Sequence, residues 1–167
     1  FDQLENRHRE KPMNRLPSIS SKDFTQAQQK LLENITSGKR AQQSATNTLT
    51  TPDGSLRGPF SAWLHSPILG DAAQRLGEAV RFESTIPPLL RELAILTVAA
   101  EWQAQYEWWA HEKIARREGL DDHIIKSLKT RTHPDFGDPT QAVVYTFARE
   151  VIDQQKVSDH HYKEAVE

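Results

Sequence analysis

Apolar positions recur along this chain every three or four residues, the period of helices buried on one face. Phe24, Ala27, Leu31, Leu32 and Ile35 fall on one stripe and predict a helix from about Lys22 to Ser37. Ser21 offers its N-cap oxygen, and Gly38 suits a left-handed stop. Ser66-Pro67 has the pattern of a second helix start. Ile68, Leu69, Ala72, Ala73, Leu76, Ala79 and Val80 carry that helix to about Phe82. Pro87-Pro88 then opens the most apolar segment. Leu89, Leu90, Leu93, Ala94, Ile95, Leu96, Val98 and Ala99 wrap nearly all of a helix surface and predict the buried centre. From Pro88 to Glu118 no Gly or Pro intervenes, and Gly119 closes the run. One helix of that length would measure roughly 45 Å at 1.5 Å per residue, too long for a small domain. A break is therefore expected near Trp102–Ala104. Asp121 or Asp122 caps a short helix through Leu128, and a loop from Arg131 to Pro139 leads into another from about Thr140 to Gln155. Ser158 caps a final turn that runs to Glu167. No segment alternates convincingly, so the fold class is all-α.

Two segments lack this periodicity. Residues 1–18 are polar and charged and are expected to form an N-terminal arm, leaving residues 19–167 as one helical domain. Lys39 to Gly58 is rich in Thr, Ser, Gln and Asn, and a loop of about twenty residues usually means a lid, a partner contact or disorder. Helix bundles tend to close on an apolar helix, whereas this chain stops in a polar one. Either a C-terminal helix is missing or a partner subunit covers what is exposed. The chain also begins with Phe1 rather than Met, as a trimmed chain would.

Composition narrows the function classes. The 167 residues suit one domain with a real core. Twenty-one Lys and Arg against twenty-three Asp and Glu leave a net charge of -2, so neither nucleic acid nor an anionic membrane surface is an expected partner. Zero Cys removes disulfides, thiolate metal sites and cysteine nucleophiles. No apolar run approaches the roughly 20 residues of a transmembrane helix, and no leader pattern opens the chain, so a cytoplasmic protein is expected.

Glu92 is an acid in an otherwise apolar helix, and buried carboxylates are rare unless paired. If the chain turns near Trp102, Glu92 and His111 reach similar heights on two antiparallel helices. A carboxylate beside an imidazole raises its pKa and fixes its tautomer, as a general acid or base requires. The competing reading pairs Glu92 with Arg91 or a distant Arg and leaves His111 on the surface. Glu107 and His111 share a helix face, but no third ligand for a metal is evident, and His160 and His161 read as solvated. Trp102, Tyr106, Trp108 and Trp109 suit either core packing or an aromatic pocket wall. Arg81 and Arg91 are candidate carboxylate binders by bidentate pairing, with surface salt bridging as the alternative.

At these residues the chain resembles a known family. The stretch Arg91-Glu92-Leu93-Ala94-Ile95-Leu96-Thr97-Val98-Ala99-Ala100, then Trp102, then Gln105-Tyr106-Glu107-Trp108-Trp109-Ala110-His111-Glu112, ending in Ala115 and Gly119-Leu120, is similar to the carboxymuconolactone decarboxylase-like family. The resemblance implies a compact bundle of the alkylhydroperoxidase D-like type, with about six or seven helices, that forms a homo-oligomer (dimer, trimer or hexamer). The peroxidase branch of that fold carries a Glu, a Cys-x-x-Cys pair and a His four residues later. Here the Glu and His fall on Glu92 and His111, while Ala104 and Glu107 stand at the cysteine positions, so the chain is not a thiol peroxidase. The resemblance implies instead a lyase that decarboxylates a small carboxylated lactone or related organic acid without a cofactor or metal. His111 and Glu92 would be catalytic, and Arg81, Arg91, Tyr106, Glu107 and Trp108 would bind substrate. An isomerase, a dehydratase, a hydrophobic-ligand binder and a structural oligomer remain the alternatives.

Overall fold

The computed structural model describes residues 16–42 and 49–166. Residues 1–15 of the expected arm and residues 43–48 of the expected loop lie outside the described residues. The regular elements described are helices, as the apolar spacing predicts: α1 Gln26–Ser37, α2 Lys39–Gln42, α3 Pro59–Trp63, α4 Pro67–Phe82, α5 Pro88–Glu101, α6 Gln105–Arg117, α7 Asp122–Thr130, α8 Pro139–Gln154 and α9 Asp159–Val166. Among the described residues, none of these is long and apolar enough to cross a membrane. Contacts divide the chain after Thr85 into two compact units.

In the N-terminal unit the first helix starts later than Ser21 suggests. Ser21–Asp23 is a single 3-10 turn, and the Ser21 hydroxyl donates to the Asp53 carbonyl at 2.9 Å. Thr25 is the cap, because Gln28 completes a capping box with it and two otherwise orphaned donors are satisfied together. Gly38 is not left-handed: its φ is -74° and the chain re-enters helix at once as α2. Glycine serves close approach there, since a Cβ would lie 3.0 Å from the Glu78 carboxylate and 3.1 Å from the Asn34 carbonyl. Leu31 and Ile35 are buried, and α1 packs on α4. Phe60, at the start of α3, is buried edge-on to Trp63 at 5.1 Å. What the structure describes of the expected 39–58 loop is α2 and a turn closed by a Thr50–Leu56 bridge, with Gly54 at φ 78°.

In the C-terminal unit α5 is the centre, packing against α6, α7 and α8. Leu93, Leu96, Ala99 and Ala100 of α5 meet Trp108, Ala115, Ile124, Ile125 and Leu128 in one core. Each fully buried Leu or Ile contributes about 1.5–3 kcal/mol relative to exposure, so this cluster fixes where α5 lies. The wrap is incomplete, because Val98 faces outward. The expected break is real. α5 ends at Glu101, Gln103 adopts φ 51°, and α6 starts at Gln105. That corner folds α6 back on α5, and Gly119 at φ 94° ends it before α7.

Candidate active site

Proline at the first position starts α5 without losing a needed donor, and its core face then carries Leu93, Leu96, Ala99 and Ala100 inward. Glu92 precedes Leu93 and is drawn in with it to 0% exposure. Such a carboxylate needs partners, and the returning helix supplies one: His111 Nδ1 donates to Glu92 Oε2 at 2.6 Å. The His111 side chain is 13% exposed. Its other nitrogen, Nε2, stands 3.4 Å from Glu107 Oε2, one turn earlier on α6. The Glu107 side chain is 47% exposed, so that flank of the imidazole is the open one.

Two carboxylates therefore bracket one imidazole. Burial acts to lower the His111 pKa, but it is outweighed by the hydrogen bonds and negative charges of Glu107 and Glu92, which raise it above its ordinary 6.5. The group is an imidazolium over more of the neutral range than a free histidine would be. That is the state of a proton donor.

Arg91 adds a second feature. Its Nε lies 3.8 Å from Glu92 Oε1, and both atoms are buried without a hydrogen-bond partner. Buried polar atoms normally find partners, so an unused guanidinium donor beside an acid/base pair is suited to an incoming acceptor.

Of the residues singled out in the sequence, Arg91, Glu92, Glu107 and His111 converge here. Tyr106 packs on Trp109 with ring centroids 5.7 Å apart. Trp108 belongs to the core and donates its indole N–H to Glu112 Oε2 at 3.1 Å. Trp102 is 75% exposed. Arg81 belongs to the N-terminal unit, its guanidinium carbon 5.0 Å over the Phe82 ring.

Two clusters escaped the sequence reading. A cavity of about 120 Å³ is lined by Thr97, Glu101, Leu128, Arg131, Tyr145 and Arg149 among others, with Arg149 bridging Glu101 at 2.9 Å and Asp153 at 2.5 Å. Farther along, Glu150 Oε2 accepts from the Ser158 backbone N–H at 3.0 Å, the Ser158 hydroxyl at 3.2 Å and His161 Nδ1 at 2.9 Å. The hydrogen bond from the Ser158 backbone, then that from His161, holds the Glu150 carboxyl below its ordinary pKa. His161 is thus anchored rather than solvated. The available signal was Glu150 itself, an acid on the same helix as Val144, Phe147 and Val151.

Among known proteins, the model of the carboxymuconolactone decarboxylase family matches residues 67–150, which span α4 to α8 and include the whole site. No curated protein and no solved structure matches the chain.

Proposed function

Because this chain belongs to the carboxymuconolactone decarboxylase family, we propose that it releases carbon dioxide from a small carboxylated lactone by acid/base chemistry. The observation that carries this reading is the 2.6 Å contact between His111 Nδ1 and the fully buried Glu92. In such a substrate the bond to the carboxylate breaks, carbon dioxide leaves, and the electron pair passes through the alkene onto the lactone carbonyl. The resulting dienolate then takes a proton at carbon. His111 gives that proton from Nε2, and Glu92 orients the ring and balances the imidazolium. Arg91 Nε, buried without a hydrogen-bond partner, receives the substrate carboxylate. Glu107, on the open flank, contacts substrate and returns a proton to Nε2 from water. Tyr106 and Trp108 shape the surroundings. The lactone carbonyl is itself the electron sink.

The test is carbon dioxide release from a panel of carboxylated lactones, run in deuterated water so that the protonated carbon is labelled. His111→Ala should lose roughly 10²–10⁴-fold in rate, the usual worth of a positioned acid, with a smaller change in melting temperature. Glu92→Gln should also slow turnover while remaining folded. A His111→Ala protein as fast as wild type would overturn the assignment. If Glu92→Gln unfolds the chain and His111→Ala does nothing, the pair serves stability alone.

A further inference from the structure

The last helix carries a cluster that the proposed reaction does not use. α9 follows Ser158, whose hydroxyl accepts from the His161 backbone N–H at 3.3 Å and so fixes where the helix begins. That start places His160 and His161 side by side, with ring centroids 5.1 Å apart, although adjacent helical residues point in different directions by default. One turn on, Glu164 Oε1 lies 3.7 Å from His160 Nε2. One ring nitrogen from each histidine and one Glu164 oxygen all lie within 4.8 Å of one another.

The strongest observation comes from α8. Glu150, nearly buried, takes His161 Nδ1 at 2.9 Å. Nδ1–H is then the donor, and Nε2 is left with its lone pair. Metal-bound histidines are held in this way, with the nitrogen away from the metal donating to a carboxylate that fixes ring orientation and tautomer. The carboxylate here belongs to a different helix from the cluster and is itself fixed by two further hydrogen bonds, so the orientation of His161 is built by the fold.

We propose that His160, His161 and Glu164 form a binding site for a borderline divalent transition metal such as Zn²⁺, with Glu150 as the positioning residue behind His161. Two imidazoles and one carboxylate suit Zn²⁺, whereas Mg²⁺ and Ca²⁺ favour oxygen ligands. Tetrahedral Zn²⁺ with bonds of about 2.0–2.1 Å needs ligand atoms roughly 3.3 Å apart. His160 Nε2 and Glu164 Oε1 stand 3.7 Å apart, the three ligand atoms lie within 4.8 Å of one another, and the His160 side chain, 74% exposed, has room to turn inward. Three protein ligands leave one position open to water or to an anionic group.

The experiment is calorimetric titration of ZnCl₂ into the untagged full chain, with MgCl₂ and CaCl₂ in parallel. One Zn²⁺ should bind, and the other two should not compete. His160→Ala/His161→Ala together should abolish binding, and Glu164→Gln should weaken it at least ~10-fold. His160 and Glu164 sit on an exposed helix surface, so these changes should leave turnover alone. His160→Ala and Glu164→Gln should also leave the melting temperature alone, whereas His161→Ala removes a hydrogen bond to Glu150 and should lower it modestly. Glu150→Ala should weaken binding about 10–100-fold, the usual effect of losing such a partner, and Glu150→Gln should recover part of it because an amide oxygen still accepts from Nδ1–H. With Co²⁺ in place of Zn²⁺, the wild type should show the visible bands of a tetrahedral complex, and the double variant should not. Absence of Zn²⁺ uptake by wild type overturns the site, as does uptake that persists in the double variant. In that event His160 and Glu164 are an ordinary pair one helical turn apart.

Discussion

The two oxygens of Glu92 have unlike surroundings: Oε2 takes the His111 N–H, while Oε1 faces Arg91 Nε at 3.8 Å without bonding it. The proton behaviour of the site follows from this side chain and Glu107. Because the His111 pKa is raised, its protonation favours the fold fully below pH 6.5, and that contribution is lost as pH rises through the higher folded value. Activity that needs the imidazolium should fall across the same window, above pH 6.5. Glu92, Arg91 and Glu107 are the charged groups set around the ring from α5 and α6. Removing the negative charge of Glu107 withdraws one of the two causes of the rise. A pH–rate profile of Glu107→Gln should therefore begin its decline at lower pH than wild type. A profile that does not move would mean that Glu107 does not sense the His111 proton.

At the scale of elements, glycine replacement separates propensity from packing. Ala is better than Gly inside a helix by about 1 kcal/mol. At Gly70 in α4, however, a Cβ would lie 2.5 Å from Trp63 Cβ, where no flexible chain end can give way. Overpacking of this kind costs about 1–3 kcal/mol, so Gly70→Ala should lower the melting temperature despite its helix preference. How much could be read in advance depended on the range of the deciding interaction. The starts of α4 and α5 were legible because proline at the first helical position is a local signal. The start of α1 was equally local, but it required weighing Thr25 with Gln28 against Ser21 alone. Glu92 and His111 could be matched because one short corner joins their helices. His161 could not, since its anchor Glu150 belongs to another helix and only the packing of α8 with α9 brings them together.

For the whole molecule, the exposed apolar residues are informative. Ile68 of α4 is 85% exposed, and Leu69 and Leu76 are each 67% exposed, all on one helix. Apolar side chains gathered like this usually meet another protein surface. A homo-oligomer, the habit that the family resemblance implies, would cover them. Light scattering at micromolar concentration should give at least a dimer, and Ile68→Ser with Leu76→Ser should shift the equilibrium toward monomer. A wild-type chain that stays monomeric would speak against assembly through α4.

The corner between α5 and α6 makes the site intolerant of changes in chain length. Each residue added to a helix turns everything beyond it by about 100° and advances it by 1.5 Å. The core residues of α5 and α6 fix both helices against α7, so neither can slide to compensate. One alanine inserted between Glu92 and Trp102 would either swing the carboxylate off His111 or drag Leu96 and Ala99 out of the core. The same insertion among the irregular residues between α7 and α8 should leave turnover intact. Such connections can absorb a change of length, while the nineteen-residue interval from Glu92 to His111 acts as a measured length.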